Sequence, residues 1–227
     1  MTYLIVALDV DTRESAMFMV RKIEACPCFK VGLQLFTRCG PDIVDVIRAA
    51  GKQVFLDLKF HDIPNTVAQA ARAAADLGVD FITLHAAGGR KMIAAAREAV
   101  ERTKTRLLAV TVLTSLDDAA VRSEIGLNES AEDAAARYAS MAVEAGAHGI
   151  VCSPKEISRI RQAVGEDALI VVPGVRPIWA AQDDQARTLT PREAAVAGAD
   201  YVVVGRPILR HKDPALAARQ VVEDLMG

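Results

Sequence analysis

The chain has 227 residues, of which 52% are hydrophobic and only 4% aromatic, with a formal charge of −2 and a pI near 6.1. That length allows one domain or at most two, and the hydrophobic share allows a full core built from Ala, Val, Ile and Leu. The charge balance gives no footprint for nucleic acid or an anionic membrane, although a local basic cluster can still hold a small anion.

Short apolar runs alternate with amphipathic, alanine-rich stretches along the whole chain. In order, they predict a strand at 3–8 and a helix at 14–24, then 29–33 and 42–50, 53–58 and 67–77, 81–85 and 91–102, 107–113 and 131–145, 149–153 and 155–164, 169–173 and 191–197, and 201–205 and 214–225. The strands are nearly continuous in apolar residues, as parallel strands covered by helices are. Pro64, Pro154, Pro191 and Pro214 stand near helix starts, and Gly51, Gly78, Gly146 and Gly198 just after helix ends. The phrases EAGAHGIV and VAGADYVVV, at 144–151 and 196–204, look like repeated helix-to-strand turns. Eight units in 227 residues average about 28 each, near the ~30 of a βαβ module. The expectation is an α/β fold, a (β/α)8 TIM barrel occupying residues 1–227 as a single domain. A doubly wound open sheet is the alternative, but no G-x-G-x-x-G follows the first strand.

Four cysteines, Cys26, Cys28, Cys39 and Cys152, fit neither C-x-x-C nor zinc-ligand spacing, so free thiols in a reducing compartment are expected. No apolar run reaches ~18 residues and no signal-peptide pattern opens the chain, which predicts a soluble cytoplasmic protein.

A barrel carries its chemistry at the C-terminal strand ends. Those positions hold Asp9, Lys30, the stretch FLDLKFHDIPNT at 55–66, His85, Thr111, Thr114, Ser115, VVPGVRP at 171–177 and VVVGRP at 202–207. Barrel mouths are polar in any case, so a lone Asp there means little. The density in the third strand means more. Asp57 and Lys59 are two apart and share a face, with Leu56, Leu58 and Phe60 toward the helices. Charges pointing into a barrel are costly unless paired. Asp62 just beyond, and Lys30 on the adjacent strand, complete four charges of alternating sign that can neutralise one another.

The last two strands end in Gly174 with Arg176 and in Gly205 with Arg206. Loops after strands 7 and 8 often bind phosphate: glycine admits backbone N–H groups and arginine offers a bidentate fork. The intervening stretch 176–190 is long for a βα loop and suits a lid. It contains Gln182 and Gln185, which could reach a phosphate, and Trp179, which either covers the site or packs on the rim.

The phrase Asp57-Leu58-Lys59-Phe60-His61-Asp62-Ile63-Pro64-Asn65-Thr66 closely resembles the D-x-K-x-x-D-I-P-N-T signature of the orotidine 5′-phosphate decarboxylase family. ALDV with Asp9, FKVGLQLF with Lys30, VTVLTS with Thr114, PGVRP with Arg176, DDQAR with Gln185 and VVGRPI with Gly205 and Arg206 follow in that family's order, so the resemblance spans nearly the whole chain. It implies decarboxylation of orotidine 5′-monophosphate to UMP and CO2 in pyrimidine biosynthesis, without metal or cofactor. It also implies a homodimer with shared sites, in which Asp62 and Thr66 reach into the partner's site. Asp9 and Lys30 would hold the ribose, Thr114 and Ser115 the pyrimidine, and Gln185, Gly205 and Arg206 the phosphate, with Arg176 at the base of the lid. Lys59, flanked by carboxylates, would stay charged and protonate C6.

The same electrostatics argue against a Schiff-base aldolase, whose lysine needs a depressed pKa. A Mg2+-dependent sugar-phosphate decarboxylase or aldolase is the nearest rival, because Asp57 and Asp62 are plausible ligands. It wants a carboxylate at the end of the second strand, however, where Lys30 stands. A non-catalytic phosphate-binding barrel would need Gly205 and Arg206 but not Lys59. His61 and His85 are assigned structural roles.

Overall fold

A computed structural model describes residues 1–180 and 189–227. Within them, eight parallel strands close into a barrel in sequence order. The chain runs β1 (Tyr3–Ala7), α1 (Arg13–Lys22), β2 (Cys28–Gly32), α2 (Leu33–Cys39), α3 (Asp42–Ala49), β3 (Gln53–Phe60) and α4 (Pro64–Asp76). It continues through β4 (Phe81–His85), α5 (Gly89–Val100), β5 (Arg106–Val110), α6 (Asp118–Ser123), α7 (Ala131–Glu144), β6 (Gly149–Val151) and α8 (Ile157–Val164). It ends with β7 (Leu169–Pro173), α9 (Pro191–Val196), β8 (Tyr201–Val204), α10 (Arg206–Leu209) and α11 (Pro214–Met226). Closure is made by β1 on β8, with Tyr3 opposite Tyr201 and Val6 opposite Val204.

The strands read as continuous apolar runs because they bury both faces. One alternate set, including Ile5, Ala7, Phe55, Phe81, Val110, Val151, Val171 and Val203, fills the barrel interior. The other, including Leu4, Val6, Phe29, Val54, Ile82, Ile150 and Val202, packs outward against the helices. With so few aromatics, those present are grouped: Phe55, Phe81 and Tyr201 meet edge to face at 6.0 and 5.3 Å inside the barrel.

Helix ends follow local chemistry. Pro64, Pro191 and Pro214 occupy first-turn positions, Ser130 caps α7, and Thr190 with Glu193 forms a capping box on α9. The two repeated helix-to-strand phrases do share one turn: Gly146 and Gly198 have φ of 98° and 106°, a region closed to side chains with a Cβ.

Three short helices, α2, α6 and α10, decorate the eight-fold plan and were not expected. Leu33 opens α2 directly after β2, where an apolar residue reads as more strand. The fifth and sixth strands end earlier than expected, at Val110 and Val151, and the third runs on to Phe60. All four cysteines are free; Cys26, Cys28 and Cys152 are buried. Among the described residues, no helix is long and apolar enough to cross a membrane.

Candidate active site

At the C-terminal ends of the strands lies a cavity of about 340 Å3. Its floor is apolar, made by Ala7, Phe55, Val110, Val151 and Val203. Its polar wall is Asp9, Lys30, Asp57, Lys59, Thr114, Arg176, Gly205 and Arg206. Residues from seven of the eight strands and the loops after them thus converge, although they are spread over nearly the whole sequence.

The centre of the wall is Asp57. The Lys59 ammonium donates to both of its carboxylate oxygens at 2.9 Å, and the Thr83 hydroxyl donates to Oδ1 at 2.9 Å. Lys30 Nζ stands 3.5 Å from Asp57 Oδ2 and 3.5 Å from Asp9 Oδ1. Burial alone would raise the Asp57 pKa, but the Lys30 and Lys59 charges and the hydrogen bonds from Lys59 and Thr83 hold it below the usual carboxylate value. Within one chain the alternating array is therefore Asp9, Lys30, Asp57, Lys59. Two glycines leave it room: a Cβ on Gly32 would fall 2.8 Å from Lys30 Nζ, and one on Gly205 would fall 3.1 Å from Asp9 Oδ2.

Lys59 reaches this array through an irregular backbone. Its φ is +52°, the sole positive φ at a non-glycine among the described residues. A left-handed residue with a Cβ costs about 1–2 kcal/mol. The β3–β4 pairing shifts register between Leu56 and Phe60, so the regular ladder is interrupted at this point. The Lys59 N–H donates instead to Thr83 Oγ1 at 2.9 Å. Plain alternation therefore assigns Lys59 to the correct side, while Leu58 and Phe60 pack outward as expected, but it does not describe the path.

Other expected residues are placed as follows. Asp62 and Thr66 are exposed and lie outside the cavity wall, and Asp62 Oδ1 accepts the N–H of Ile63 at 2.7 Å. Thr114 lines the cavity, whereas its neighbour Ser115 is exposed and does not. Gln182 and Gln185 fall outside the described residues. The Arg176 N–H donates to the Leu189 carbonyl at 2.9 Å, which brings the two ends of that long loop together. Trp179 lines a smaller adjoining hollow with Arg176, Arg206, Arg210 and His211, and its ring meets His211 edge-on at 5.4 Å. His61 and His85 face each other at 5.4 Å. Burial, then the His61 and Lys59 charges, lowers the His85 pKa, which favours a neutral imidazole at pH 7.

Thr83 and Glu156 are buried polar residues that escaped the sequence. Thr83 is fully buried, but a threonine within FITLH is ordinary for a strand. Glu156 is 7% exposed, and burial pushes its carboxyl up to about 7 against the opposing hydrogen bond from the Ser153 N–H at 2.9 Å. The spacing Ser153 to Glu156 is a capping-box signature that could have revealed it. Among the described residues, no three His, Cys, Asp or Glu side chains converge as metal ligands. Chemically, the wall offers the Lys59 ammonium, the carboxylate of Asp57, and the guanidinium groups of Arg176 and Arg206.

The profile of the orotidine 5′-phosphate decarboxylase / HUMPS family matches residues 2–221. An orotidine 5′-phosphate decarboxylase of a Nostoc species is 48% identical over 98% of this chain and 96% of its own length. That of Syntrophotalea carbinolica is 50% identical over 98% of this chain and 94% of its own. The crystal structure of orotidine 5′-phosphate decarboxylase from Lactobacillus acidophilus superposes with a TM-score of 0.89 at 36% identity, covering all of both chains. With a profile matched almost end to end and relatives near half identity, the chain belongs to the orotidine 5′-phosphate decarboxylase / HUMPS family.

Proposed function

We propose that this protein decarboxylates orotidine 5′-monophosphate to UMP and CO2, the last step of pyrimidine nucleotide synthesis, as one catalytic barrel of residues 1–227 acting in the cytoplasm. The observation that carries this is the ammonium of Lys59 held at 2.9 Å from both oxygens of Asp57, inside a cavity that Arg176 and Arg206 also line. Loss of CO2 leaves an electron pair at C6 that the pyrimidine delocalises poorly. A preorganised cation beside C6 stabilises that charge as it develops and then delivers its proton there. Asp57 pairs with the Lys59 ammonium through both carboxylate oxygens and so holds it in place.

The remaining wall suits the rest of the nucleotide. Asp9 and Lys30 are suited to the ribose hydroxyls, and Thr114 with Ser115 to the pyrimidine edge. Gly205 and Arg206, with Arg176 and Gln185, are suited to the phosphate. Phosphate lies remote from C6, so its binding energy is available to orient the reacting end. Asp62 and Thr66, exposed at the start of α4, would enter the cavity of a second copy in a homodimer with shared sites. Exposure of Ile63 between them, at 67%, agrees with a covered position in such a dimer.

A Mg2+-dependent sugar-phosphate decarboxylase or aldolase is the reading to test against. Asp57 is already engaged by Lys30 and Lys59, and a divalent ion there would face two ammonium groups at close range. The test follows the absorbance of orotidine 5′-monophosphate with EDTA present. Steady turnover is expected. Turnover abolished by EDTA and restored by Mg2+, or no turnover at all, overturns the proposal.

A further inference from the structure

The site contains one side chain that touches both halves of the proposed acid–carboxylate pair without facing the cavity. Thr83 sits on β4, fully buried, and does not line the cavity wall. Its hydroxyl has a single proton, which goes to Asp57 Oδ1 at 2.9 Å. A lone pair of the same oxygen accepts the Lys59 N–H at 2.9 Å. These two bonds fall where the β3–β4 ladder changes register, and where Lys59 takes its left-handed φ of +52°. The hydroxyl thus stands in for a ladder partner that the irregular backbone cannot find, and it uses its other capacity to orient the carboxylate.

We propose that Thr83 is a positioning residue for the decarboxylation: one hydroxyl sets both the Lys59 backbone and the Asp57 carboxylate, and so fixes where the Lys59 ammonium stands relative to C6. This rests on the functional reading above and deepens it. The charged and titratable groups around Asp57 come from several elements: Lys30 on β2, Lys59 on β3, His85 on β4, and Asp9 after β1 through Lys30. Among the described residues, the Thr83 hydroxyl is the group that bonds both the Asp57 carboxylate and the Lys59 backbone N–H. Because Thr83 does not line the cavity, its loss acts on the reacting end and not on ribose or phosphate binding.

The test compares wild-type protein with Thr83→Val, which keeps the shape and removes the hydroxyl, and Thr83→Ser, which keeps the hydroxyl. Turnover of orotidine 5′-monophosphate and the inhibition constant of UMP are measured for each. Misplacing a reacting group by about 1 Å can cost about 10²-fold in rate. Thr83→Val is therefore expected to lose about 10- to 100-fold in kcat, with UMP inhibition changed by less than about threefold, and Thr83→Ser to recover to within about fivefold of wild type. If Thr83→Val does not bind UMP, Thr83→Ala is measured in the same way, since the smaller side chain removes the hydroxyl without adding bulk. Wild-type kcat in a valine or alanine variant that binds UMP overturns the inference, as does a serine variant no better than valine. If even the wild type lacks turnover, the functional reading fails and this inference fails with it; wild-type turnover with an indifferent Thr83→Val defeats the inference alone.

Discussion

Replacing Asp57 with asparagine keeps the shape of the side chain and removes its charge. In the native cavity Asp57 lies 2.9 Å from Lys59 Nζ and 3.5 Å from Lys30 Nζ. At an effective dielectric constant of about 20, unit charges at those separations attract by about 6 and 5 kcal/mol. Desolvation of each ion offsets several kcal/mol of that gain, and removing one member of a buried pair typically costs about 3–5 kcal/mol. Asp57→Asn should therefore lose about 3–5 kcal/mol of stability, since it leaves two ammonium groups facing each other. Urea unfolding at pH 7 measures this: with a slope near about 3 kcal/mol per molar, the midpoint should fall by about 1–2 M. Lys59→Met should cost less, because Asp57 still keeps Lys30. If Asp57→Asn is as stable as wild type, or less damaging than Lys59→Met, Asp57 is not the electrostatic centre of the array.

Lys59→Ala should lower kcat by at least about 10³-fold while UMP still binds, the signature of a lost proton donor; isothermal titration and a stopped assay separate the two. Arg206→Ala should mainly raise KM, by about 10- to 100-fold, the equivalent of one charge-assisted hydrogen bond, and an unchanged KM would remove the phosphate assignment. Glu156 is held in the fold with its carboxyl raised to about 7, so its burial favours the protonated form and its contribution to stability declines as pH rises from about 4.5 through 7. Glu156→Gln should be progressively more stable relative to wild type across that window, read from melting temperatures at pH 5 and pH 8; parallel curves would refute it. Asp57 has the opposite sign: its lowered pKa contributes stability above about pH 4 that is lost as pH falls further.

The order and kind of the eight repeating units were readable because both strand faces are buried, so each strand announces itself as an unbroken apolar run. Helix caps and the glycine turns at Gly146 and Gly198 were readable because they are local chemistry. The Asp57–Lys59 pair was readable from period-two spacing. What escaped depends on contacts across the barrel. The left-handed turn at Lys59 has no local signal, since no glycine marks it, and it exists because Thr83, twenty-four positions away, accepts its N–H. Thr83 itself hides as a good strand former. Asp62 seemed close enough to join a four-charge cluster, yet within the chain it turns onto the Ile63 N–H at the start of α4. Leu33 looked like strand because apolar residues do not distinguish a strand end from a helix start.

The floor of the cavity has a consequence for how this protein can change. Ala7, Phe55, Val110, Val151 and Val203 line the cavity and are also members of the barrel's inner packing cluster. A mutation there alters ligand shape and barrel closure at once, and large-to-small changes in a packed core typically cost about 2–5 kcal/mol. Leu113, Thr114 and Arg176 line the same cavity from loops outside that cluster. Drift toward a new substrate is thus channelled to the rim, where a substitution is tested for chemistry alone, while the floor stays locked by the demands of folding.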